Sequence, residues 1–381
     1  MHLLTLTPFY PTAIDDATGC FVAEPLKTLA ANGIQNSILA MEPFYRGHSG
    51  ENASAPAAER IRYWAFPGGF GLSTAGAFVF ARIISRIRQL HAQNRIDVIH
   101  AHAPLPAGHA AMLVGKELGI PYVVSVHGLD AFSTMQVKGR AGKWCRRITQ
   151  RVYEASRRVI CISEHVREEV LAGMGRTCRT SVVYNGVDPE LFHPAAEEPS
   201  DSQTVLSVGN LIPVKGHELL VRAAAALAPE FPSLSWEIIG DGPERPRLEA
   251  LTKQLKIADR IRFLGRQSRK QVAAAMQRCT LFVLPSRYEG LGCVYLEAMA
   301  TGKPAIGCRG QGIAEIIQHG SNGLLVGPNN EQELKLATAM VLRDANWRLN
   351  LGRAARNTIL ENLTLARQAE QLTRIYRECS D

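Results

Sequence analysis

Two glutamates eight residues apart stand out in the stretch "PSRYEGLGCVYLEAMATGKP". On one continuous helix Glu289 and Glu297 would share a face, and a single solvated face would explain both carboxylates. Gly290 and Gly292 argue against that arrangement, because glycine is a poor residue for a helix interior. The pattern instead predicts a buried strand in "TLFVLP", a glycine-bearing turn in "SRYEGLG" and a helix that begins at Cys293.

The predicted turn and helix start have the properties of an anion site. Gly290 and Gly292 leave the backbone open to close approach, and the helix start presents unpaired N–H groups that suit phosphate oxygens. Glu297, one turn into the helix, can accept two hydrogen bonds from the vicinal hydroxyls of a ribose. Glu289, on the other side of the phosphate position, can hold sugar hydroxyls. The spacing therefore predicts a nucleoside and a sugar gripped by two carboxylates with a diphosphate between them.

A lysine in "GNLIPVKGHELL" is a second candidate for phosphate binding. Gly209 ends a predicted strand and Gly216 opens the next helix, which places Lys215 at a strand-to-helix turn. An ammonium laid against a phosphate makes a charge-assisted contact of about 1.5 to 3 kcal/mol. On this segment alone, an ordinary surface lysine is an equal alternative. The Walker phosphate loop and the complete dinucleotide fingerprint are both absent from the sequence.

The elements that must position these residues follow a repeated pattern. Short apolar runs such as "HLLTL", "YVVSVH", "TVLSVGN" and "LFVLP" alternate with helical stretches along all 381 residues. Such alternation is typical of parallel sheets covered by helices, so the sequence predicts an α/β fold with two doubly wound domains. The polar, proline-containing segment near residues 188–204 separates them. We expect a first domain over 1–188, a second over 189–365 and a final helical run over 366–381.

Composition excludes several classes of protein. Eight cysteines occur without a C-x-x-C pair, which suggests neither a zinc knuckle nor a disulfide framework. No apolar run approaches the roughly 18 to 20 residues of a membrane span, and no basic leader precedes "MHLLTLTPFYPT". A cytoplasmic protein is the expectation.

Positive charge is concentrated in "KGRAGKWCRRITQRVYEASRR", where eight basic residues between Lys138 and Arg158 face only Glu154. This basic stripe indicates an anionic partner, unless it is simply a solvated helix face. Only Trp144 and Tyr153 are interleaved with it, which argues against nucleic acid.

The segment "FVFARIISRIRQLHAQNR" carries a second feature with two interpretations. Its apolar residues recur at the spacing of one helix face, with arginines on or beside the polar side. The helix either lies on an anionic membrane or packs against the core like any helix of a doubly wound domain. The apolar positions are Phe80, Ile83, Ile84, Ile87 and Leu90.

The segment "EGLGCVYLEAMATGKPAIGCRGQGIAEIIQHGSNGLLV" resembles the donor-site region of the family 4 retaining glycosyltransferases, whose hallmark is E-x7-E. "VLSVGNLIPVKG", "IIGDGPERPRLE", "IRFLGR", "VVYNGVDPELFHP", "VVSVHGLDAF" and "RVICISEHVREEV" are similar to the same family in the same order. The resemblance implies the GT-B fold, in which two Rossmann-like domains face a central cleft, and a final helix that crosses back to the first domain. It also implies retaining transfer from a nucleotide-diphosphate sugar to a glycan or lipid-linked acceptor, in cell-surface polysaccharide or glycolipid synthesis.

The resemblance assigns a role to each motif of the second domain. Glu297 would bind the ribose, Glu289 the transferred sugar, and Lys215 the leaving phosphate. Asn210 departs from the family, which usually has arginine there, so more of the leaving-group stabilisation falls on Lys215. Arg262 and Gly265 would hold the nucleobase. The implied donor-binding residues of this domain are Gly209, Asn210, Lys215, Arg262, Gly265, Glu289, Gly290, Leu291, Gly292 and Glu297.

The first domain is expected to complete the site. By the same resemblance Gly19 would approach the phosphates, and His127 would lie over the reacting sugar, with Asp130 on the acceptor side. At the end of the apolar run "YVVSV", His127 is equally well explained as a packed core residue. If it acts, we expect a neutral hydrogen-bond donor rather than a nucleophile. We interpret His100 and His102 as structural residues or as contacts that line the cleft.

Two other functions compete with transfer. A sugar-nucleotide 2-epimerase of the same fold would need general acids and bases around the sugar carbon, and no such constellation occurs in the sequence. A non-catalytic binder of anionic lipid or nucleic acid would use the basic stripe, but it would not need both glutamates and Lys215. Nothing in "RFLGRQS" discriminates uridine from guanosine, and the sequence does not identify the sugar or the acceptor.

The sequence predicts that sugar transfer needs no metal ion. No D-x-D pair and no metal-spaced cluster of histidines and cysteines occurs, and Lys215 supplies positive charge in their place. Turnover measured with and without EDTA should therefore be equal within error. Activity that EDTA abolishes and that magnesium or manganese restores would overturn this expectation.

Overall fold

The computed structural model describes residues 1–13, 15–45, 56–66, 71–132, 137–174, 178–196 and 203–380. The chain forms two compact units. Unit 1 comprises Met1–Asn185 together with Leu365–Asp381, and unit 2 comprises Gly186–Thr364.

Unit 1 contains a parallel sheet of seven strands in the order β3-β2-β1-β4-β5-β6-β7. The strands are β1 (His2–Thr7), β2 (Gln35–Pro43), β3 (Glu59–Tyr63), β4 (Val98–His102), β5 (Tyr122–Val126), β6 (Arg158–Cys161) and β7 (Thr180–Val182). The helices between them are α1 (Cys20–Ala31), α2 (Leu72–Gln93), α3 (His109–Leu118), α4 (Gly139–Ala155) and α5 (Glu164–Met174). Every residue of β1, β4 and β5 is buried, as expected for central strands covered by helices on both faces.

Strand β3 was not predicted from the sequence. Its residues, "ERIRY", lie at the edge of the sheet and are mostly half-exposed, so they lack the continuous apolar run of a central strand. Arg60 forms an ion pair with Glu42 on the neighbouring strand and donates a hydrogen bond to the carbonyl of Pro11. Polar side chains of this kind suit an edge strand, and they hide it from a search for apolar runs.

The apolar face of α2 packs into the core of unit 1. Ile83 and Ile87 are completely buried, and so is Val79 one turn earlier. Of the two interpretations of this segment, the structure supports the core-facing helix. A membrane surface would therefore meet only the polar side of α2.

Unit 2 contains a parallel sheet of six strands in the order β10-β9-β8-β11-β12-β13. The strands are β8 (Thr204–Val208), β9 (Ser235–Ile239), β10 (Ile261–Gly265), β11 (Leu281–Val283), β12 (Ala305–Cys308) and β13 (Leu324–Val326). The helices are α6 (His217–Leu227), α7 (Arg245–Gln254), α8 (Arg269–Arg278), α9 (Cys293–Ala300), α10 (Glu331–Arg343) and α11 (Ala345–Asn362). Helix α6 packs against α7 and α10, whereas α9 packs against α8 and α11.

The strand order of unit 2 reverses between β8 and β11. Crossovers run outward in one direction from β8 and in the other direction from β11, and right-handed connections therefore place helices on both faces of the sheet. A switch point of this kind forms a crevice at the carboxyl edge of the sheet, beside the loops that follow these two strands. Open α/β sheets bind their ligands at such a switch point.

The last helix, α12 (Leu365–Ser380), belongs to unit 1 and packs against α1. Its buried face contributes Leu372, Ile375 and Tyr376 to the cluster that contains Leu3 of β1. The Tyr376 hydroxyl lies 2.7 Å from Nδ1 of His100 in β4. In the part of the chain that the structure describes, none of the helices combines the length and apolar character needed to cross a bilayer.

Candidate active site

Two loops lie against each other at the switch point of unit 2. After β8 the chain forms a short 3-10 helix at Pro213–Lys215, and Gly216 then takes φ 73°. A Cβ at Gly216 would come within 2.2 Å of the Pro285 carbonyl oxygen, so only glycine permits this approach. The backbone N–H of Arg287 donates to the Val214 carbonyl at 2.8 Å. The loop that carries Lys215 is thereby held against the loop that carries Glu289.

Lys215 and Glu289 form an ion pair between these loops. The Lys215 ammonium lies 2.5 Å from Oε2 of Glu289, and the two side chains are 20% and 14% exposed. The Ser286 hydroxyl donates to the same oxygen at 3.3 Å, and the backbone N–H of Glu289 donates to Oε1 of Gln311 at 2.9 Å. The partly buried pair presents one cation and one carboxylate side by side at the crevice.

The predicted strand, turn and helix after Thr280 are confirmed. Strand β11 ends at Val283 and α9 begins at Cys293. Gly292 caps this helix with φ 82°, where an added Cβ would meet the Tyr295 ring at 2.6 Å. The carbonyl of Gly290 is packed so closely on Gly312 that a side chain at Gly312 would collide with it at 1.8 Å. The turn therefore brings bare backbone and the first N–H groups of α9 to the crevice.

Glu297 is buried in the next turn of this helix, with 2% of its surface exposed. Its Oε1 pairs with the guanidinium of Arg269 at the start of α8. Its Oε2 is buried and has no hydrogen-bond partner among the described residues. A buried carboxylate oxygen without a partner is costly, so this atom is a candidate acceptor for a ligand hydroxyl.

The other predicted donor-binding residues of unit 2 do not all lie at the carboxyl edge of the sheet. Gly265 ends β10 at the carboxyl edge, and its carbonyl accepts a hydrogen bond from the N–H of Gly240 at 2.8 Å. Arg262 is the second residue of the edge strand β10, and its largely exposed side chain pairs with Glu237 of the neighbouring strand β9. Asn210 is exposed just beyond β8. The structure thus brings Gly265 to the carboxyl edge, whereas the contact of Arg262 lies away from it.

Sequence reasoning missed four residues that support the site, namely Ser286, Gln311, Arg269 and His217. Gln311 and Arg269 act through partners distant in sequence, and His217 is distinguished only by its burial, so none of these three carries a local signal. Ser286 lies three residues before its partner Glu289, within the predicted turn. His217 is 3% exposed, and neither ring nitrogen has a partner among the described residues. Burial, assisted by the charge of Lys215, lowers the pKa of His217 to about 4, so the ring behind the Lys215 loop is neutral.

Unit 1 assembles its own candidate residues at the carboxyl ends of β1, β4 and β5. Gly19 takes φ 81° at the start of α1, and an added Cβ would lie 2.6 Å from the backbone of Phe9 and Tyr10. This close approach places Phe21, in the first turn of α1, with its ring centroid 4.7 Å from that of His127. The glycine is thus required for the packing of the loop that covers His127.

His127 is half-buried, and its imidazole ring is neutral. Its Nε2 lies 3.1 Å from Nδ1 of His102, and its backbone N–H donates to Oδ1 of Asp130 at 2.9 Å. Burial lowers the pKa of His127 to about 3 and raises the pKa of Asp130 to about 7. A neutral imidazole with one nitrogen already engaged can exchange hydrogen bonds but is not a general acid at pH 7.

His100 belongs to the same buried group. Its Nε2 lies 2.7 Å from the Ser125 hydroxyl, and its Nδ1 lies at the same distance from Tyr376. Burial, with a smaller contribution from His127, lowers the pKa of His100 to about 3. His102 is 6% exposed, and its pKa is also well below the ordinary value because of burial.

The fold and the site define a class of enzyme. GT-B glycosyltransferases have this architecture, with two parallel-sheet α/β units and a crevice at the switch point of a sheet. Over 99% of both chains the protein superposes on sucrose-phosphate synthase from Thermosynechococcus elongatus, with a TM-score of 0.80 and 22% identity. It superposes on Anabaena HepE in complex with UDP with a TM-score of 0.78 and 20% identity, over 99% of this chain and 100% of that one.

The chain belongs to the family 4 (group 1) glycosyltransferases. Residues 21–191 match the model described as Glycosyltransferase Family 4, and residues 188–358 match Glycosyl transferases group 1. An uncharacterized glycosyltransferase of Methanocaldococcus jannaschii is 30% identical over 75% of this chain and 76% of its own length. N-acetyl-alpha-D-glucosaminyl L-malate synthase of Bacillus anthracis is 28% identical, over 77% of this chain and 78% of its own length. The predicted family, fold and enzyme class are confirmed.

The buried histidines predict that unit 1 loses stability in acid. The pKa values of His100 and His127 are about 3 in the folded state, and that of His102 is also well below the ordinary 6.5, so below pH 6.5 the unfolded chain binds more protons. The free energy of unfolding should therefore fall as pH falls below about 6.5. Asp130 opposes this trend, because its pKa of about 7 is above the ordinary 3.8, but it offsets only one of three histidines.

Urea unfolding between pH 7 and pH 5 measures this effect. His100→Gln should make the slope shallower by up to one proton, about 1.4 kcal/mol per pH unit. A parent protein whose stability is flat over this range would contradict the neutral state of the cluster.

Proposed function

We propose that this glycosyltransferase moves a sugar from a nucleoside-diphosphate sugar to a glycan or lipid-linked acceptor, and that unit 2 binds the donor. The observation that carries the proposal is the Lys215–Glu289 pair, at 2.5 Å, beside the start of α9 at the switch point. The diphosphate would take the Lys215 ammonium and the first N–H groups of α9, and Glu289 would then be available to sugar hydroxyls. Glu297 would accept from the ribose.

The proposed chemistry stabilises a leaving nucleoside diphosphate. Negative charge grows on its phosphate oxygens as the bond to the sugar breaks, and Lys215 and the α9 N-terminus are fixed positive groups that need no reorganisation. Retention of configuration and independence from metal ions are part of the proposal. Both rest on the family resemblance and on the charge that Lys215 supplies.

Similar solved structures support a nucleotide-sugar donor. Anabaena HepE has been crystallised with UDP, with UDP and glucose, and with UDP-glucose. At 20% identity the likeness shows a common fold, so these structures favour UDP among the candidate nucleotides without fixing the base of the donor for this chain. A role in cell-surface polysaccharide or glycolipid synthesis is likewise proposed, on the basis of the resemblance.

Nucleotide binding is the first test. A nucleoside diphosphate that binds only the folded protein raises the unfolding temperature, so a screen of UDP, GDP and ADP should identify one base. Glu297→Ala should weaken that stabilisation. Lys215→Ala should lower turnover by about 10²- to 10³-fold, as expected for loss of one preorganised charge. Lys253→Ala, at an exposed lysine of α7, is the matched control and should behave like the parent.

Two different outcomes would contradict the proposed donor site and the proposed donor class. If the Glu297 and Lys215 variants fold, bind nucleotide and turn over donor like the control, the donor site lies elsewhere. If none of the three nucleotides stabilises the parent, the proposed donor class is wrong.

The exposed face of α4 leads us to propose an anionic membrane surface as a partner of unit 1. Arg140, Lys143, Arg147 and Arg151 project on one side of this helix, around Trp144, which is 53% exposed. Within the described residues these four cations form no ion pair, whereas Arg86 and Arg88 of α2 pair with Glu59 and Glu117. A tryptophan among unpaired cations matches the chemistry of a lipid interface. The opposite side of α4, including Cys145 and Val152, is buried.

Liposome flotation tests this partner. The parent should float with anionic vesicles, not with neutral ones, and high salt should release it. Changing Arg140, Arg147 and Arg151 together to Gln should abolish binding, because each cation near the lipid contributes about 1 kcal/mol. The control changes Arg86 and Arg88, which are already paired, to Gln and should keep binding. Absence of binding to anionic vesicles would point to a soluble acceptor.

A further inference from the structure

Only one of the two carboxylate oxygens of Glu297 has a partner among the described residues. One carboxylate oxygen, Oε1, is taken by Arg269, while Oε2 is buried and has no partner among the described residues. A carboxylate side chain in a helix can adopt several rotamers, and the Arg269 contact selects one of them. The contact therefore determines where Oε2 lies.

Arg269 is itself firmly held in place. It is 9% exposed, and its guanidinium carbon lies 4.8 Å from the ring centroid of Phe192, a residue that is completely buried. The planar guanidinium suits both contacts at once, since it stacks on the ring with its face and meets the carboxylate with its edge. Phe192 and Glu297 thus fix the side chain from two directions.

The position of Arg269 is unfavourable for the helix that carries it. It is the first residue of α8, directly after the capping residue Ser268. A positive charge at a helix N-terminus is opposed by the helix dipole, and burial of an arginine adds a desolvation cost. Helix stability therefore does not explain this arginine, whereas its contact with Glu297 does.

We propose that Arg269 is a positioning residue that presents Oε2 of Glu297 to a ribose hydroxyl of the donor. The inference rests on the proposed function, in which Glu297 binds the nucleoside. Arg269 touches the carboxylate and not the reacting atoms, so it acts on nucleotide affinity. Its loss should raise KM for the donor more than it lowers kcat, because the ribose contact is the same in the ground state and the transition state.

A double-mutant cycle separates positioning from a purely structural role. Affinity for UDP and for GDP is measured by calorimetry on the full chain for the parent, Arg269→Met, Glu297→Gln and the double variant. Each single change should lower the affinity for whichever nucleotide binds the parent by about tenfold or more, as expected for loss of a hydrogen bond to a charged group. The double variant should be no weaker than Glu297→Gln alone, because Arg269 acts through that carboxylate.

A conservative variant of Arg269 and a matched control complete the experiment. Arg269→Lys keeps the charge but lacks the planar fork, so its affinity should lie between those of the parent and Arg269→Met. Arg278→Met is the matched control, because this arginine ends the same helix, its side chain is 61% exposed, and it lies 3.9 Å from Glu237. It should bind nucleotide like the parent. Melting curves without nucleotide check that each variant folds, and Arg269→Lys still decides the question if Arg269→Met does not fold.

The possible failures are distinguishable. If Glu297→Gln weakens binding but Arg269→Met and Arg269→Lys do not, the positioning role is wrong and the donor site stands. Loss of affinity that adds fully in the double variant, or a change in kcat without a change in KM, also overturns the inference. If Glu297→Gln binds like the parent, or if neither UDP nor GDP binds the parent, the proposed nucleoside contact fails and the inference fails with it.

Discussion

The arrangement of unit 2 depends on the contact between the loops that follow β8 and β11. These strands are neighbours where the strand order reverses, so the two loops meet at one point of the sheet edge. Gly216 allows the first loop to approach the Pro285 carbonyl, and the Lys215–Glu289 pair links the side chains across the contact. The Lys215 ammonium is thereby held near the start of α9, and positive charge at a helix N-terminus is unfavourable unless a carboxylate or an anionic ligand is present.

At the carboxyl edge of its sheet, unit 1 carries a group of neutral histidines instead of an ion pair. His100 and His102 are buried beside the half-buried His127, and desolvation keeps all three neutral at pH 7. Neutral imidazoles can fill a polar pocket with directional hydrogen bonds at no cost in buried charge, as His100 does with Ser125 and Tyr376. Because Tyr376 comes from the last helix, the C-terminus of the chain is part of the structure that supports His127.

The distribution of ion pairs separates structural cations from those available to partners. Arg269 pairs with a buried carboxylate, and Arg86 and Arg88 of α2 pair with glutamates on the surface. The cations of α4 have no such commitment among the described residues, so their charge is available to an anionic surface. The net charge of +8 does not distinguish these groups, because it counts paired and unpaired cations alike.

The sequence by itself determined the fold class and the local frame of the site. Apolar runs, glycines at turns and helix-forming segments are local signals, and they specified two doubly wound units, the helix start at Cys293, and strand-to-helix turns for Lys215 and Glu289. Only the tertiary structure decided which side chains meet. Arg269 reaches Glu297 across 28 residues, and His102 meets His127 across 25. Strand β3 and the pairing of Arg262 with Glu237 likewise depend on sheet neighbours. Such pairings follow from strand order and burial, which no short stretch of sequence encodes.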